Sequence, residues 1–355
     1  MTEWLDDVTT RDWQTVESGT LRLALIGIGW WTRDVAIPAI EETDLCETTV
    51  LVSSSKEKAE SVARANDIQT GITYESFNAG AASDQYDAVY IGTPNAVHLD
   101  YAETAATNGK AVLCEKPMEA TVDRAAQLVE TCADTVPLMI AYRMQTDPLV
   151  RRARELIEAG FLGELVQIYG NNSQQLLELI PDPEQWRLDP EWTGYGASVM
   201  DIGIYPINTT RFLLNRDPTA VVSHLASPSE AFSDVPDERS SFLLRFDDDV
   251  DFVCTATQNA HTDSQLKLTG TEGQIELQPA FHGECALQLS RGELTATLEH
   301  DTFDEHDEMR EEFDYFADRV LGEKPIYPDG EHGLVDMEII AGIHEAHETG
   351  GWVSL

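Results

Sequence analysis

Between residues 21 and 142, short apolar runs alternate with stretches whose apolar positions recur every three to four residues. The runs are "LRLALIG" (21–27), "TTVLVSS" (48–54), "YDAVYIGTP" (86–94), "KAVLCEKP" (110–117) and "VPLMIAY" (136–142). Near-continuous apolar character predicts strands buried on both faces. "SKEKAESVARAND" (55–67) and "DRAAQLVETCAD" (123–134) carry the helical period instead. Strand–helix alternation predicts an α/β domain over 21–142, a Rossmann-type parallel sheet covered by helices on both sides.

After residue 142 the rhythm changes. "DPLVRRARELIEAG" (147–160) reads as a helix, followed by a polar, Pro-rich loop (180–196) and a helix-like stretch near 199–214. Then come strand pairs. "SFLLRFDDDVDFVCTATQ" (241–258) predicts a hairpin through its three aspartates, and "QLKLTGTEGQIEL" (265–277) and "ALQLSRGELTATLE" (286–299) repeat the pattern. Residues 143–355 thus read as an α+β domain with a largely antiparallel open sheet, and no internal repeat is visible. Residues 1–20 form a polar leader in which Trp4, Leu5 and Val8 share helical spacing, an amphipathic arm for this subunit or a neighbour.

Composition narrows the class. The 355 residues are 42% hydrophobic, enough for two domains and a large core, with no apolar run near the length that spans a bilayer. The acidic start "MTEWLDDVTTRDWQ" lacks a basic region and an apolar stretch, so a cytoplasmic protein without a secretory signal is expected. Five scattered cysteines, never in a CxxC pair, suit a reduced compartment better than disulfides or zinc. Charge is the unusual feature: 64 acids against 23 Lys plus Arg give a formal net charge of −41. Nucleic acid and anionic membranes would be repelled. The acids are dispersed, as in "DEHDEMREEFDYFADR" (304–319), and lysine is scarce everywhere. That favours a surface suited to molar salt, where the Debye length falls to ~3 Å, over an ordinary acidic protein or a binder of basic partners.

Candidate chemistry begins at "LALIGIGWWT". Gly27 and Gly29 directly follow the first strand run, where glycine lets backbone N–H groups approach a pyrophosphate. The third fingerprint position holds Thr32 rather than Gly or Ala, so the motif alone is weak. Trp30 and Trp31 are odd in such a loop; one is expected to pack on the sheet and the other to cover a cofactor. At the end of the second strand run stand Ser53, Ser54, Ser55 and Lys56, where an NAD site usually carries an acid. Hydroxyls and a cation suit the 2′-phosphate of NADP; a serine helix cap beside a solvent lysine is the plainer alternative.

The segment "IGTPNAVHLDYAETAATNGKAVLCEKPMEAT", with "AYRMQTDP", "GASVMDIGIYPIN" and the closing "GLVDMEIIAGIHEAHETGGWVSL", resembles the glucose–fructose oxidoreductase / inositol dehydrogenase (Gfo/Idh/MocA) family from residue 21 onward. The resemblance implies that 143–355 bind substrate and pair subunits through the sheet into a homodimer or homotetramer. It is nearest to the family's haloarchaeal NADP-dependent branch that oxidises aldoses at C1, with D-xylose the expected substrate. It gives Lys116 a catalytic role, places Glu115 and Lys116 against the cofactor, and implies a cis bond before Pro117. A cis X–Pro costs only ~0.5–1 kcal/mol; a surface lysine before a turn proline is the alternative for an isolated KP.

In "MDIGIYP", Asp201 and Tyr205 are four apart, so a helix presents both on one face. Resemblance casts Tyr205 as acid–base and Asp201 as orienting a sugar hydroxyl or the lysine; a buried helix with a packed tyrosine is the structural alternative. Resemblance also places Thr93, Pro94, Asn95 and His98 near the nicotinamide ribose, although Asn95 could simply cap the next helix and His98 is expected to pack or cap. Arg143 is implied to touch the cofactor. Trp186 and Arg187 either cover cofactor and substrate or are structural. No His/Asp/Glu cluster has metal-ligand spacing. Within the family, dihydrodiol or inositol dehydrogenases and an oxidoreductase with tightly held NADP are the rival activities; a ligand-sensing binder without turnover is the non-enzymatic rival.

Overall fold

A computed structural model describes residues 11–300 and 305–355, so the arm expected over Trp4, Leu5 and Val8 lies outside the described residues. Two compact units divide the chain. The first comprises Trp13–Arg143 with Glu305–Leu334, and the second comprises residues 144–300 with Val335–Leu355 and Arg11–Asp12.

The first unit holds the expected sheet. Its strands are β1 (Leu21–Ile26), β2 (Cys46–Ser53), β3 (Thr70–Thr73), β4 (Ala88–Ile91), β5 (Ala111–Glu115) and β6 (Leu138–Ala141), in the order β3-β2-β1-β4-β5-β6. Every pairing is parallel. Strand order reverses between β1 and β4, which in such sheets opens the ligand crevice at the carboxyl ends of those two strands. Leu23, Leu25, Leu51, Val89 and Leu113 are completely buried, as continuous apolar runs require.

Sequence order put everything after residue 142 in the second domain, but the helix Glu305–Leu321 packs in the first unit. Phe313 and Phe316, both fully buried, join the cluster of Leu23, Tyr90 and Met139. The acidic run 304–319 is therefore not all surface: Glu308, Glu311, Glu312, Asp314 and Asp318 are buried. Two of these acids accept from main-chain N–H groups. Asp314 Oδ1 receives Asp44 N at 3.0 Å and Leu45 N at 2.9 Å, and Asp318 Oδ1 receives Thr15 N at 2.6 Å and Val16 N at 2.7 Å. Trp13 is held here too, edge-on to Tyr315 at 5.4 Å. The described part of the leader is thus tied to its own subunit.

The second unit carries β7 (Leu165–Gln175), β8 (Ala220–Ala226), β9 (Arg239–Arg245), β10 (Asp251–Thr257), β11 (Asn259–Gly270), β12 (Gly273–Leu277), β13 (Ala286–Arg291), β14 (Leu294–Glu299) and β15 (Val353–Ser354). Their order is β14-β13-β12-β11-β7-β10-β9-β8-β15, antiparallel except where β10 runs parallel to β7. The hairpin through the aspartates is β9–β10. The helix Ile204–Leu214 lies close on this sheet because Gly170 of β7 has no side chain. A Cβ there would stand 2.7 Å from Phe252 and 3.2 Å from Pro206 of that helix.

Candidate active site

In the first unit the glycine loop leaves β1 at the topological switch. Gly27 has φ +93°, and a Cβ there would meet Gly92 O and Thr93 Cγ2, each at 2.8 Å. Gly29 faces open space: a Cβ added there would meet no atom within 4 Å. Thr32, at the third fingerprint position, donates from Oγ1 to Gly27 O at 2.7 Å and so ties the loop to the turn Thr32–Ala36. That turn is π-helical, a rare form that is frequent at functional sites. Trp31 docks on the sheet, donating from Nε1 to Tyr90 Oη at 3.0 Å, whereas Trp30 is 43% exposed. Trp31 therefore packs on the sheet, as one of the pair was expected to, and Trp30 faces out.

At the end of β2, Ser53 is buried and Ser54 is exposed. Ser55 is the N-cap of the helix Lys56–Ala65, its hydroxyl accepting from Lys58 N at 3.3 Å. Lys56 is exposed and lies 3.7 Å from Glu60. The plainer cap reading therefore describes Ser55, while Ser54 and Lys56 remain on the accessible side.

Beyond β4, Thr93 Oγ1 is buried with no hydrogen-bond partner among the described residues. Pro94 leads into the 3₁₀ turn Asn95–Val97, in which Asn95 is buried. The helix His98–Thr107 takes Val97 as its N-cap. His98 is completely buried, with Nε2 2.9 Å from Thr93 O and Nδ1 3.3 Å from Met118 O. It braces the loop after β4 against the loop after β5, the packing role expected of it.

The β5 loop contains the expected cis bond between Lys116 and Pro117. Glu115 is fixed by two donors, Tyr90 Oη at 2.7 Å and Lys116 N at 3.2 Å. Burial, and then Glu115, push the Tyr90 phenol well above its ordinary range, which keeps Tyr90 a donor. Arg143, buried beyond β6, sits over the Trp31 ring at 5.1 Å and meets Glu305 at 3.1 Å and Glu308 at 3.0 Å. Glu312, from the same helix as those acids, is wholly buried. Burial raises its carboxyl well above the usual range; Glu115 and Glu308 add to the rise, and Arg143 and Lys116 oppose it. The cations Lys116 and Arg143 thus both act on the buried Glu312, together with Glu115 and Glu308, a connection that sequence order conceals.

In the second unit, Asp201 and Tyr205 are not on a plain α-helix. Val199–Gly203 is a π-helical turn that runs into the helix Ile204–Leu214, so the two side chains straddle a widened turn. The turn is clamped by Asp237, whose Oδ1 accepts from Ala197 N at 2.5 Å and Oδ2 from Val199 N at 2.8 Å. Asp237 is completely buried, and burial pushes its carboxyl up to about 7 against those stabilising N–H groups. Asp201 Oδ2 receives Gln258 Nε2 at 2.7 Å and lies 3.4 Å from Arg187 Nε. Arg187 in turn stacks on Trp186 at 4.5 Å. The Trp-Arg pair therefore serves Asp201 rather than standing apart in its loop.

Gln258, Asn172, His282 and Asp237 were missed by sequence reasoning. Asn172 donates to Ile202 O at 3.0 Å, and the His282 ring lies 5.5 Å from that of Tyr205. Only the D-x-G-x-Y spacing was a local signal; these partners come from strands and loops far along the chain. Among the described residues no group of three His, Cys, Asp or Glu is arranged to hold a metal, and no helix is long and apolar enough to cross a membrane.

A six-stranded doubly wound sheet with a glycine loop at its switch, joined in one chain to a nine-stranded sheet bearing an Asp-Tyr turn, defines a dinucleotide-dependent oxidoreductase architecture. Residues 21–142 match the oxidoreductase family with an NAD-binding Rossmann fold, and residues 150–276 match the GFO/IDH/MocA C-terminal domain. The chain belongs to the GFO/IDH/MocA family. It is 54% identical to the D-xylose 1-dehydrogenase [NADP(+)] of Haloarcula marismortui, over 97% of this chain and 96% of that protein. It is 33% identical to D-xylose 1-dehydrogenase (NADP(+)) 2 of Haloferax volcanii, over 90% and 95% of the two chains. Among solved structures, the aldose–aldose oxidoreductase of Caulobacter crescentus superposes with a TM-score of 0.87 at 27% identity, covering 95% of this chain and all of that one.

Proposed function

We propose that this protein oxidises an aldose at C1, with D-xylose the favoured substrate, reducing NADP⁺ and releasing the lactone. The observation that carries the reading is the near full-length likeness to the Haloarcula marismortui D-xylose 1-dehydrogenase [NADP(+)]. The residues fit the cofactor: the Gly27 cradle is one a Cβ would fill, and the buried Thr93 hydroxyl at its rim has no partner among the described residues. Gly27, Gly29 and Thr93 would hold the pyrophosphate and ribose, with Ser54 and Lys56 taking the 2′-phosphate. When bound, NADP⁺ supplies the acceptor for the C1 hydride.

Tyr205 takes the proton of the anomeric hydroxyl. A phenol of ordinary pKa ~10 is a poor base near neutrality, so a positive charge has to favour the phenolate in the working site. Asp201, held through Oδ2 by Gln258 and Arg187, orients a sugar hydroxyl. General acid–base groups of this kind contribute roughly 10²–10⁴ in rate. NADP⁺ reduction followed against a panel of pentoses and hexoses in molar KCl tests the reading, with D-xylose expected to give the highest kcat/KM. Lys116→Ala and Tyr205→Phe should keep NADP⁺ binding and lose turnover; unchanged turnover in either variant refutes their roles.

The likeness to an aldose–aldose oxidoreductase favours one alternative, sugar-to-sugar hydride exchange on a retained cofactor. NADP carried through purification, with turnover that needs no added cofactor, would establish it. The net charge of −41 supports a cytoplasm of high salt, and loss of fold in dilute buffer is the expected result. Tyr169 and Val253, neighbours on β7 and β10, are 41% and 45% exposed and offer an apolar face for pairing two copies. Light scattering at high salt should then report at least a dimer, and Tyr169→Glu should weaken it.

A further inference from the structure

Strand β7 brings two amides to the Asp201 turn. Residues two apart on a strand share a face, and Asn172 already donates to Ile202 O inside that turn. Gln174 is the next residue on the same face. Thr257 ends β10 opposite Ser173 in the parallel ladder, so Gln258 and Gln174, one step further along each strand, stand side by side. Leu176 N donates to Gln258 O at 2.9 Å and holds that register. The two side chains meet end to end. Gln174 Nε2 donates to Gln258 Oε1 at 2.8 Å, and Gln258 Nε2 donates to Asp201 Oδ2 at 2.7 Å.

A carboxamide has a donor end and an acceptor end of nearly equal shape, so only its partners fix which way it points. Gln258 is 1% exposed, which leaves the choice to protein groups. In front of it stand two acceptors, Asp201 Oδ2 and, at 3.5 Å, Ala197 O. Behind it stands the half-buried Gln174 amide. Both ends of Gln258 are satisfied only while an N–H arrives from behind. Packing alone does not require this, because methionine fills the space of a glutamine without any polarity.

We propose that Gln174 is a positioning residue of the sugar-oxidising site: by donating to Gln258 Oε1 it commits the Gln258 amide to donate to Asp201, and so fixes the carboxylate that orients the sugar hydroxyl. The proposal rests on the reading of Asp201 as that orienting group. It deepens the reading by tracing the polarity of the site back to a strand residue that reaches Asp201 through Gln258. An acceptor placed at residue 174 would reverse the Gln258 amide and turn its carbonyl oxygen toward the Asp201 carboxylate, two acceptors face to face.

The test compares wild type with Gln174→Met, Gln174→Glu, Gln258→Leu and the double variants, assayed with D-xylose and NADP⁺ in molar KCl. Methionine removes the N–H and leaves Gln258 free to keep its orientation, so kcat should fall only about threefold to tenfold. Glutamate keeps the size but only accepts, so kcat should fall roughly tenfold to a hundredfold. The loss belongs in kcat, because a sugar held off line still binds but reacts slowly. NADP⁺ affinity and the thermal midpoint should stay at wild-type values, which a merely structural role would not predict. In the Gln258→Leu background, changing Gln174 should cost nothing further, since its effect passes through Gln258. Should Gln174→Glu fail to fold, Gln174→Met and its double variant with Gln258→Leu decide. Wild-type kcat in Gln174→Glu, or additive losses in the double variants, overturn the proposal; a rise in KM alone overturns it too, and points to direct contact of Gln174 with the sugar. A wild-type enzyme that oxidises no aldose refutes the functional reading itself, a result distinct from an active enzyme indifferent to residue 174.

Discussion

Replacing Asp237 by asparagine isolates the clamp beneath the Asp201 turn. In the native protein this carboxyl is raised from 3.8 to about 7, chiefly by burial. A group whose folded pKa is raised contributes stability that is fully present below its unfolded value and is lost as pH rises through the folded one. Stability should therefore fall between pH about 4 and about 7 by ~4 kcal/mol from this group, roughly three units at ~1.4 kcal/mol each. Asparagine cannot titrate, so this part of the slope disappears. Its amide must nevertheless turn NH₂ toward either Ala197 N or Val199 N, both of which are donors in the native contacts at 2.5 and 2.8 Å. That mismatch costs ~1–3 kcal/mol at every pH. Asp237→Asn should thus be the less stable protein in acid and the more stable one above neutrality, with the two curves crossing between. Urea unfolding in constant molar KCl from pH 4.5 to 8.5 measures both. Using the difference between the two proteins cancels other shifted groups such as Glu312 and His344. Parallel curves across that window would show that Asp237 is already ionised in the native fold and that burial does not dominate its proton.

Three further outcomes are expected. Gly27→Ala forces a Cβ to 2.8 Å from Gly92 O at φ +93°, which should weaken NADP⁺ binding at least about tenfold by fluorescence titration, in line with backbone strain of ~1–3 kcal/mol. Gln258→Leu removes the 2.7 Å donor to Asp201; kcat/KM for the sugar should fall roughly tenfold to a hundredfold, while NADP⁺ affinity stays at the wild-type value. Phe316→Ala empties a fully buried position in the core of the first unit and should cost ~3–5 kcal/mol in urea unfolding, although the residue lies far along the chain from the strands it covers.

Local pattern alone determined a large share of this protein. Five of the six parallel strands were visible as apolar runs, because strands covered on both faces need continuous hydrophobicity. The β9–β10, β11–β12 and β13–β14 pairs were visible because alternation and turn residues act over a few positions. Gly27 and the four-residue spacing of Asp201 and Tyr205 were legible for the same reason: each is a constraint on neighbouring backbone; the cis Lys116–Pro117 bond was expected from the family resemblance instead. The central strand β7 escaped because "GNNSQQ" has the polar look of a loop, yet its backbone pairs with β10 on one side and β11 on the other. Tertiary structure alone decided that Glu305–Leu321 packs with the first unit, that Ser55 caps a helix, and that Arg187 serves Asp201. It also decided that Gln258, Asn172 and His282 gather at the Asp-Tyr turn. Hydrogen bonds and burial depend on distance in space, and a contact such as Gln258 to Asp201 joins residues 57 apart with no periodic trace in the chain between them. Sequence thus set the elements and the reactive spacings, while the partners that orient each reactive group were set by the sheet and helix packing that brings remote segments within hydrogen-bonding reach.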